Sequence, residues 1–203
     1  MIRDFRQWPG TKEELSLTNM DTTIPQTASG LNLQFISAEE NEFLAKETCI
    51  LITSGVSHDV FDFISGRFGP LEAGLPCKVP LWFALQLRRN GKCIIEIPEW
   101  LSVETLKSKV DEQKSAQAFV DIPYFYVEIA QLLLTHAKDD FDSPEETRSL
   151  VEDLFNLRMD RLRLQIQLFA STVITTRTLA RIVNVGSAEL LLVRGFLPQM
   201  LWT

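Results

Sequence analysis

Cys77 and Cys93 bracket the run GLPCKVPLWFALQLRRNGKC, which also holds two prolines, a tryptophan and a basic cluster. Residues of these types can make a redox pair, a thiolate nucleophile or a phosphate contact. A redox pair or a zinc site needs CxxC-type spacing, which neither these two cysteines nor Cys49 provides, and three cysteines leave one unpaired in any disulfide scheme. All three read as reduced thiols serving as small core residues. A reactive thiolate needs a polar, cationic setting, whereas Cys93 opens CIIEI, which reads as a core strand. His136 is a base that could pair with Cys93, but it closes PYFYVEIAQLLLTHA, where an imidazolium favours the negative end of a helix dipole. His58 stands beside Asp59 in the polar turn SGVSHD, with no nucleophile near it in sequence, and reads as a solvated turn residue.

Other clusters point to architecture. Gly66, Gly69 and Gly74 lie in GRFGPLEAG, which lacks both the dinucleotide spacing and the lysine-serine ending of a phosphate loop. The acidic groups in AEENE, DEQ and KDDFDSPEE read as helix starts and loop charges, with no carboxylate pair placed around a histidine or a metal. No catalytic, cofactor-binding or metal site is therefore expected, and the rival reading is a small hydrolase or thiol enzyme using Cys93 or His136. Arg88, Arg89 and Lys92 follow a helical stretch and complement its dipole, with partner contact as the alternative. Arg158, Arg161 and Arg163 lie on a longer one. The net charge of -7 repels phosphate backbones, so tight DNA binding by the isolated chain is not expected. The opening MIRDFRQWPG is no secretory leader and no apolar run approaches a membrane span, which predicts a soluble intracellular protein without membrane contact.

The elements that must position these residues come in two groups. Residues 1–37, rich in Thr, Ser, Asn and Gln around Pro9 and Pro25, lack a sustained period and read as a flexible leader. Ser37 caps a short helix through SAEENEFLAKE. TCILIT and VFDFIS then read as a strand pair joined by SGVSHD, GRFGPLEAGLP as loop, and CKV as a brief pairing segment. Pro80 opens the helix LWFALQLRRN, which Gly91 closes; CIIEI is a candidate strand, and Ser102 caps VETLKSKVDEQKSA. The rest is helical: PYFYVEIAQLLLTHA, a long helix opened by Ser-Pro-Glu-Glu, and SAELLLVRGFLPQML, which Gly195 and Pro198 should bend. The pattern predicts an α+β protein, mainly α. Residues 38–79 form a small β-rich domain with an opening helix, and 80–203 an α-helical bundle domain. Pro76, Val79, Pro80, Leu81 and Trp82 are the expected core of the joint between them.

The long helix carries more apolar surface than one packing contact requires. Val151, Phe155, Leu162, Ile166, Phe169 and Val173 form one stripe, while Leu150, Leu154, Leu157, Leu164 and Leu168 form a second beside it. A helix covered on two sides in so short a chain suggests partner subunits; the plainer reading is the central helix of a monomeric bundle. The candidate subunit interface is Phe155, Leu162, Ile166, Phe169 and Val173, with Leu191 and Phe196 of the last helix.

Five blocks, NEFLAKE, FGPLEAGLPCKVPLWFALQLRRNGKC, PEWLSVETL, PYFYVEIAQLLLTHA and ETRSLVEDLFNLRMDRLR, resemble the subunit 2 branch of the GINS family in order and approximate spacing. Their core, GPxxxGLPxxVPLWxAxxL, falls on Gly69, Pro70, Gly74, Leu75, Pro76, Val79, Pro80, Leu81, Trp82, Ala84 and Leu87, and the likeness runs from about Asn41 to Met200. The resemblance implies a β-rich domain followed by a helical one that packs with three sister GINS subunits. It also implies a structural role without cofactors, in the nucleus, joining the hexameric MCM motor and a RecJ-like cofactor protein in the replicative DNA helicase. The leader has no counterpart in the family pattern, and the chain stops at Thr203 without the polar tail often seen there.

Overall fold

The computed structural model describes residues 37–173 and 183–193. Helix α1 (Ala38–Lys46) starts at a complete capping box. Ser37 Oγ accepts from the Glu40 amide at 3.1 Å and Glu40 Oε2 accepts from the Ser37 amide at 2.6 Å, so two helix-end donors are satisfied reciprocally.

Strand β1 (Cys49–Ser54) follows, with Ile50, Ile52 and Ser54 buried and Cys49 and Leu51 on the exposed face. The expected hairpin between β1 and the next segment does not form. β1 is instead the centre of a three-stranded antiparallel sheet, between β4 (Pro76–Pro80) and β5 (Cys93–Ile95). The VFDFIS segment supplies β2 (Phe61–Phe63), which pairs with β3 (Gly66–Phe68) inside the stretch expected as loop. A period of two tells which residues share a face but not which strand lies alongside, and here the β4 register of Ile50 on Val79 buries two β-branched side chains together.

β4 forms an outer edge, and its sequence suits that place. The Leu81 amide bonds Thr48 O at 2.9 Å, so the alternation of the ladder turns the backbone nitrogens of Pro80 and Pro76 away from β1, where neither lacks a bond and both blunt the edge. Pro80 is the N-cap residue of α2 (Leu81–Arg89) rather than its first residue, and Gly91 follows at φ 65°, the left-handed conformation expected of it. Because β5 returns to β1 after α2, that helix lies between two strands of one sheet, and the β-rich unit runs past the expected division at residue 79 to β5.

The helical unit follows a 3₁₀ turn at Glu99–Leu101. Ser102 caps α3 (Val103–Ser115) by accepting from the Thr105 amide. α4 (Tyr126–His136) packs against α1, α2 and α5, while α5 (Pro144–Val173) lies along α3; residues 187–193 are helical. At 1.5 Å per residue α5 is about 45 Å long. Gly195 and Pro198, expected to bend the last helix, the interface candidate Phe196, and the leader up to residue 36 lie outside the described residues. One continuous core joins the sheet, α2, α4 and the inner face of α5.

Candidate functional site

The groups whose types best suit chemistry are the three cysteines and the two histidines. Cys93 is buried on β5 with its Sγ 3.6 Å from Ala84 O, and burial, then the nearby Asp140 carboxylate, pushes its pKa up to about 11. Cys77 is half-buried and Cys49 is exposed, so Cys49 is not the core residue expected of it; the pleat turns it to the outer face of the sheet. His136 ends α4 with Arg89 Nη2 3.3 Å from its ring, and burial, then that guanidinium, lowers its pKa. The expected imidazolium at the helix end is thus disfavoured. His58 bridges to Leu71 in an isolated β-pair and stacks on Phe61 at 4.0 Å instead of standing free in a turn. Gly66, Gly69 and Gly74 all take positive φ, Gly66 as the first residue of β3 and the other two in the connection that follows it. Among the described residues no group of three or more metal-ligating side chains is found, and no helix is long and apolar enough to cross a membrane.

The organised feature is α5. Its inner side buries Val151, Leu154, Phe155, Met159, Leu162 and Ile166 in the chain's own core. Phe155, Leu162 and Ile166, expected at a subunit interface, are therefore covered within this chain. Phe169 and Leu191 are half-buried, and the side chain of Val173, like Phe196, lies outside the described residues. The second stripe divides: Leu154 is buried, Leu150 and Leu157 are half-buried, but Leu164 and Leu168 are 57 % and 59 % exposed, one turn apart. Arg163 reaches Asp160 on the same helix at 3.3 Å, and Arg161 Nη1 is buried with no hydrogen-bond partner among the described residues.

Arg158, one of the basic candidates on the long helix, is fully buried and ties four parts of the bundle together. Its Nε donates to Glu189 Oε1 at 2.5 Å and its Nη2 to Glu189 Oε2 at 3.1 Å, a forked pair with the 187–193 helix. Its Nη1 donates to Val120 O at 2.9 Å, its Nη2 also to Asn184 O, and the guanidinium lies over the Phe119 and Tyr126 rings. The Tyr126 hydroxyl donates to Glu189 Oε1 at 2.7 Å and the Gly186 amide to Glu189 Oε2 at 2.8 Å. Burial, then the Glu189 charge, raises the Tyr126 pKa well above its ordinary value, which keeps that hydroxyl a donor. Gly186 is needed at its place because an added Cβ would sit 2.9 Å from Tyr126 Cε1.

The joint between the units is built differently from the expected one. Val79, Pro80 and Leu81 are buried and Pro76 is exposed, but the ring contacts of Trp82 run to Phe63, Phe68 and Phe83, so it seats the β2–β3 hairpin on α2. The polar tie across the joint is Asp140, which follows α4. Its Oδ2 accepts from Arg88 Nε at 2.8 Å and from the Ile95 amide at 3.0 Å, with its side chain almost wholly buried. Arg88 thus has a specific carboxylate beyond its helix dipole.

Sequence comparisons follow the same division. Residues 37–96 match the family model described as the PSF2 N-terminal domain, and residues 100–200 match that of the GINS complex protein helical bundle domain. The human DNA replication complex GINS protein PSF2 is 37 % identical over 135 residues, 66 % of this chain and 73 % of the relative. The probable PSF2 of Drosophila melanogaster is 35 % identical over 161 residues, covering 79 % and 78 %. The Schizosaccharomyces pombe protein psf2 is 27 % identical over 165 residues, covering 81 % and 87 %. With a β unit ending where the first match ends, a helical bundle filling the second, and relatives aligned across both, the chain belongs to the PSF2 family of DNA replication complex GINS proteins.

Proposed function

We propose that the chain is a non-catalytic structural subunit of a four-protein GINS assembly in the nucleus, which joins the MCM motor to a RecJ-like cofactor protein in the replicative helicase during initiation and elongation. The observation that carries this reading beyond family membership is the pair Leu164 and Leu168, two large apolar side chains exposed one turn apart on a helix whose other face is already packed. Exposed leucines in register on a helix call for a partner surface. Phe169 and Leu191, both half-buried, are the further interface candidates among the described residues, while Phe155, Leu162 and Ile166 lie in the core behind α5's outer face. The β unit and its joint, with Val79, Pro80 and Leu81 as the apolar part, hold the first domain at a fixed angle to the bundle. The inert setting of Cys93 and the lowered pKa of His136 weigh against the thiol-enzyme reading.

The test is co-expression with three sister GINS subunits, followed by size-exclusion chromatography with light scattering. A stoichiometric tetramer is expected, and Leu164→Asp with Leu168→Asp should abolish it while changing the stability of the chain by about 0.5 kcal/mol or less, as exposed positions do. A tetramer that survives both substitutions removes these leucines from the interface. A stable, monodisperse monomer that ignores the sister subunits overturns the reading.

A further inference from the structure

Strand β1 is paired unequally on its two sides. β4 follows it from Cys49 to Thr53, whereas β5 covers only Ile52 to Ser54. Leu51 O accepts from the Glu96 amide at 3.0 Å on the β5 side, and ladder alternation directs both backbone groups of Cys49 and the amide of Leu51 to that side as well. There the chain turns away through Pro98, which has no N–H with which to continue the ladder. Among the described residues no backbone group meets these three.

The open edge borders a groove of about 350 Å³, lined among others by Cys49, Leu51, Ile97, Trp100, Glu96 and Glu99. The lining is mostly apolar and includes two carboxylates and no lysine or arginine. Glu96 accepts from Thr53 Oγ1 at 2.8 Å and is otherwise turned to solvent, as is Glu99. Leu51 and Ile94 leave an apolar strip exposed beside them, at 41 % and 60 %. A free strand edge offers main-chain bonds, a pocketed apolar floor selects alternate side chains, and paired carboxylates select positive charge.

We propose that this edge is a docking groove for an extended segment of a partner protein, with basic residues alternating with apolar ones, added as a short strand alongside Cys49 to Leu51. An acidic segment is excluded by Glu96 and Glu99. The site is separate from the α5 interface and does not depend on it.

The test uses the full chain and an acetylated eight-residue peptide of alternating valine and lysine, with the valine-glutamate peptide as control. Amide exchange followed by NMR should show the Cys49 and Leu51 amides exchanging freely without peptide and slowed at least about tenfold with the lysine peptide bound. The lysine peptide should bind on the order of tenfold tighter than the glutamate one, the equivalent of one or two rim charge pairs. Glu96→Lys with Glu99→Lys should reverse that preference, and Glu99→Lys alone, on an exposed turn, should reduce it. Equal affinity for the two peptides overturns the proposal. So does binding that leaves the two amides unprotected, and so does protection of both amides before any peptide is added, which would mean that another part of the chain already covers the edge.

Discussion

Glu189→Ala is the substitution that the bundle should tolerate least. It leaves the Arg158 guanidinium, fully buried, with carbonyl partners but no counter-charge, and it strands the Tyr126 hydroxyl and the Gly186 amide. Removing one partner of a buried pair costs about 3–5 kcal/mol, and each stranded donor adds roughly 1–3 kcal/mol unless water reaches it. Release of residues 183–193 would admit that water, so the loss should level off near 4 kcal/mol, a large part of the roughly 5–15 kcal/mol that holds a domain together. For a chain of this size that is a fall in Tm of roughly 8–16 °C. Urea melts give the free energy, and amide exchange gives its location: residues 183–193 should open before α3 and α4. Arg158→Met combined with Glu189→Leu removes both charges and should recover part of the loss, since no unpaired charge is left buried, while the Tyr126 hydroxyl and the Gly186 amide still lack their carboxylate. The reasoning is refuted if Glu189→Ala costs less than about 1 kcal/mol, or if the double substitution costs the sum of the two single ones.

Three further outcomes follow from the same contacts. Asp140→Asn keeps an acceptor for the Ile95 amide but loses the charge facing Arg88, and should cost about 1–2 kcal/mol in a urea melt, with Asp140→Ala costing more because the amide is then unpaired. Gly186→Ala drives a methyl against the Tyr126 ring and should cost about 1–3 kcal/mol, read in the same assay. For the thiols, iodoacetamide at pH 8 should label Cys49 rapidly and Cys93 only after unfolding, as peptide mass spectrometry will show. Because the folded pKa of Cys93 lies above its ordinary 9.0, thiolate formation opposes the fold, so its contribution weakens stability as pH rises from 9.0 through about 11, and Cys93→Ala should flatten that alkaline decline.

Features whose cause lies within a few residues were legible in the sequence. The Ser37 capping box, the Ser102 cap, the start of α5 at Pro144 with Glu145 and Glu146 in its first turn, and Gly91 closing α2 all depend on neighbours in the chain. Strand partners were not legible, because β1 meets β4 across a whole hairpin and β5 across a helix as well. Arg158 was missed for a related reason: a guanidinium reads as surface until its partner is known, and Glu189 lies 31 residues away. A signal did exist, since each of the two stands inside an apolar stripe, Arg158 between Phe155 and Leu162 and Glu189 within SAELLLV. Opposite charges on two apolar faces are stable there only if the faces meet.

The sequence by itself determined the two-part order of the fold, its helix ends, and the family to which the GLPCKVPLW block points. Only the tertiary structure decided which apolar residues of α5 face inward. That helix carries leucine or phenylalanine around much of its circumference, so periodicity could not rank one stripe above the other. The packing of α3 along it, and the Arg158–Glu189 pair that seats the 187–193 helix, bury Phe155, Leu162 and Ile166 and leave Leu164 and Leu168 outside. A buried ion pair has so few geometries in which every donor is satisfied that it selects one rotation of the helix where apolar contacts alone permit several.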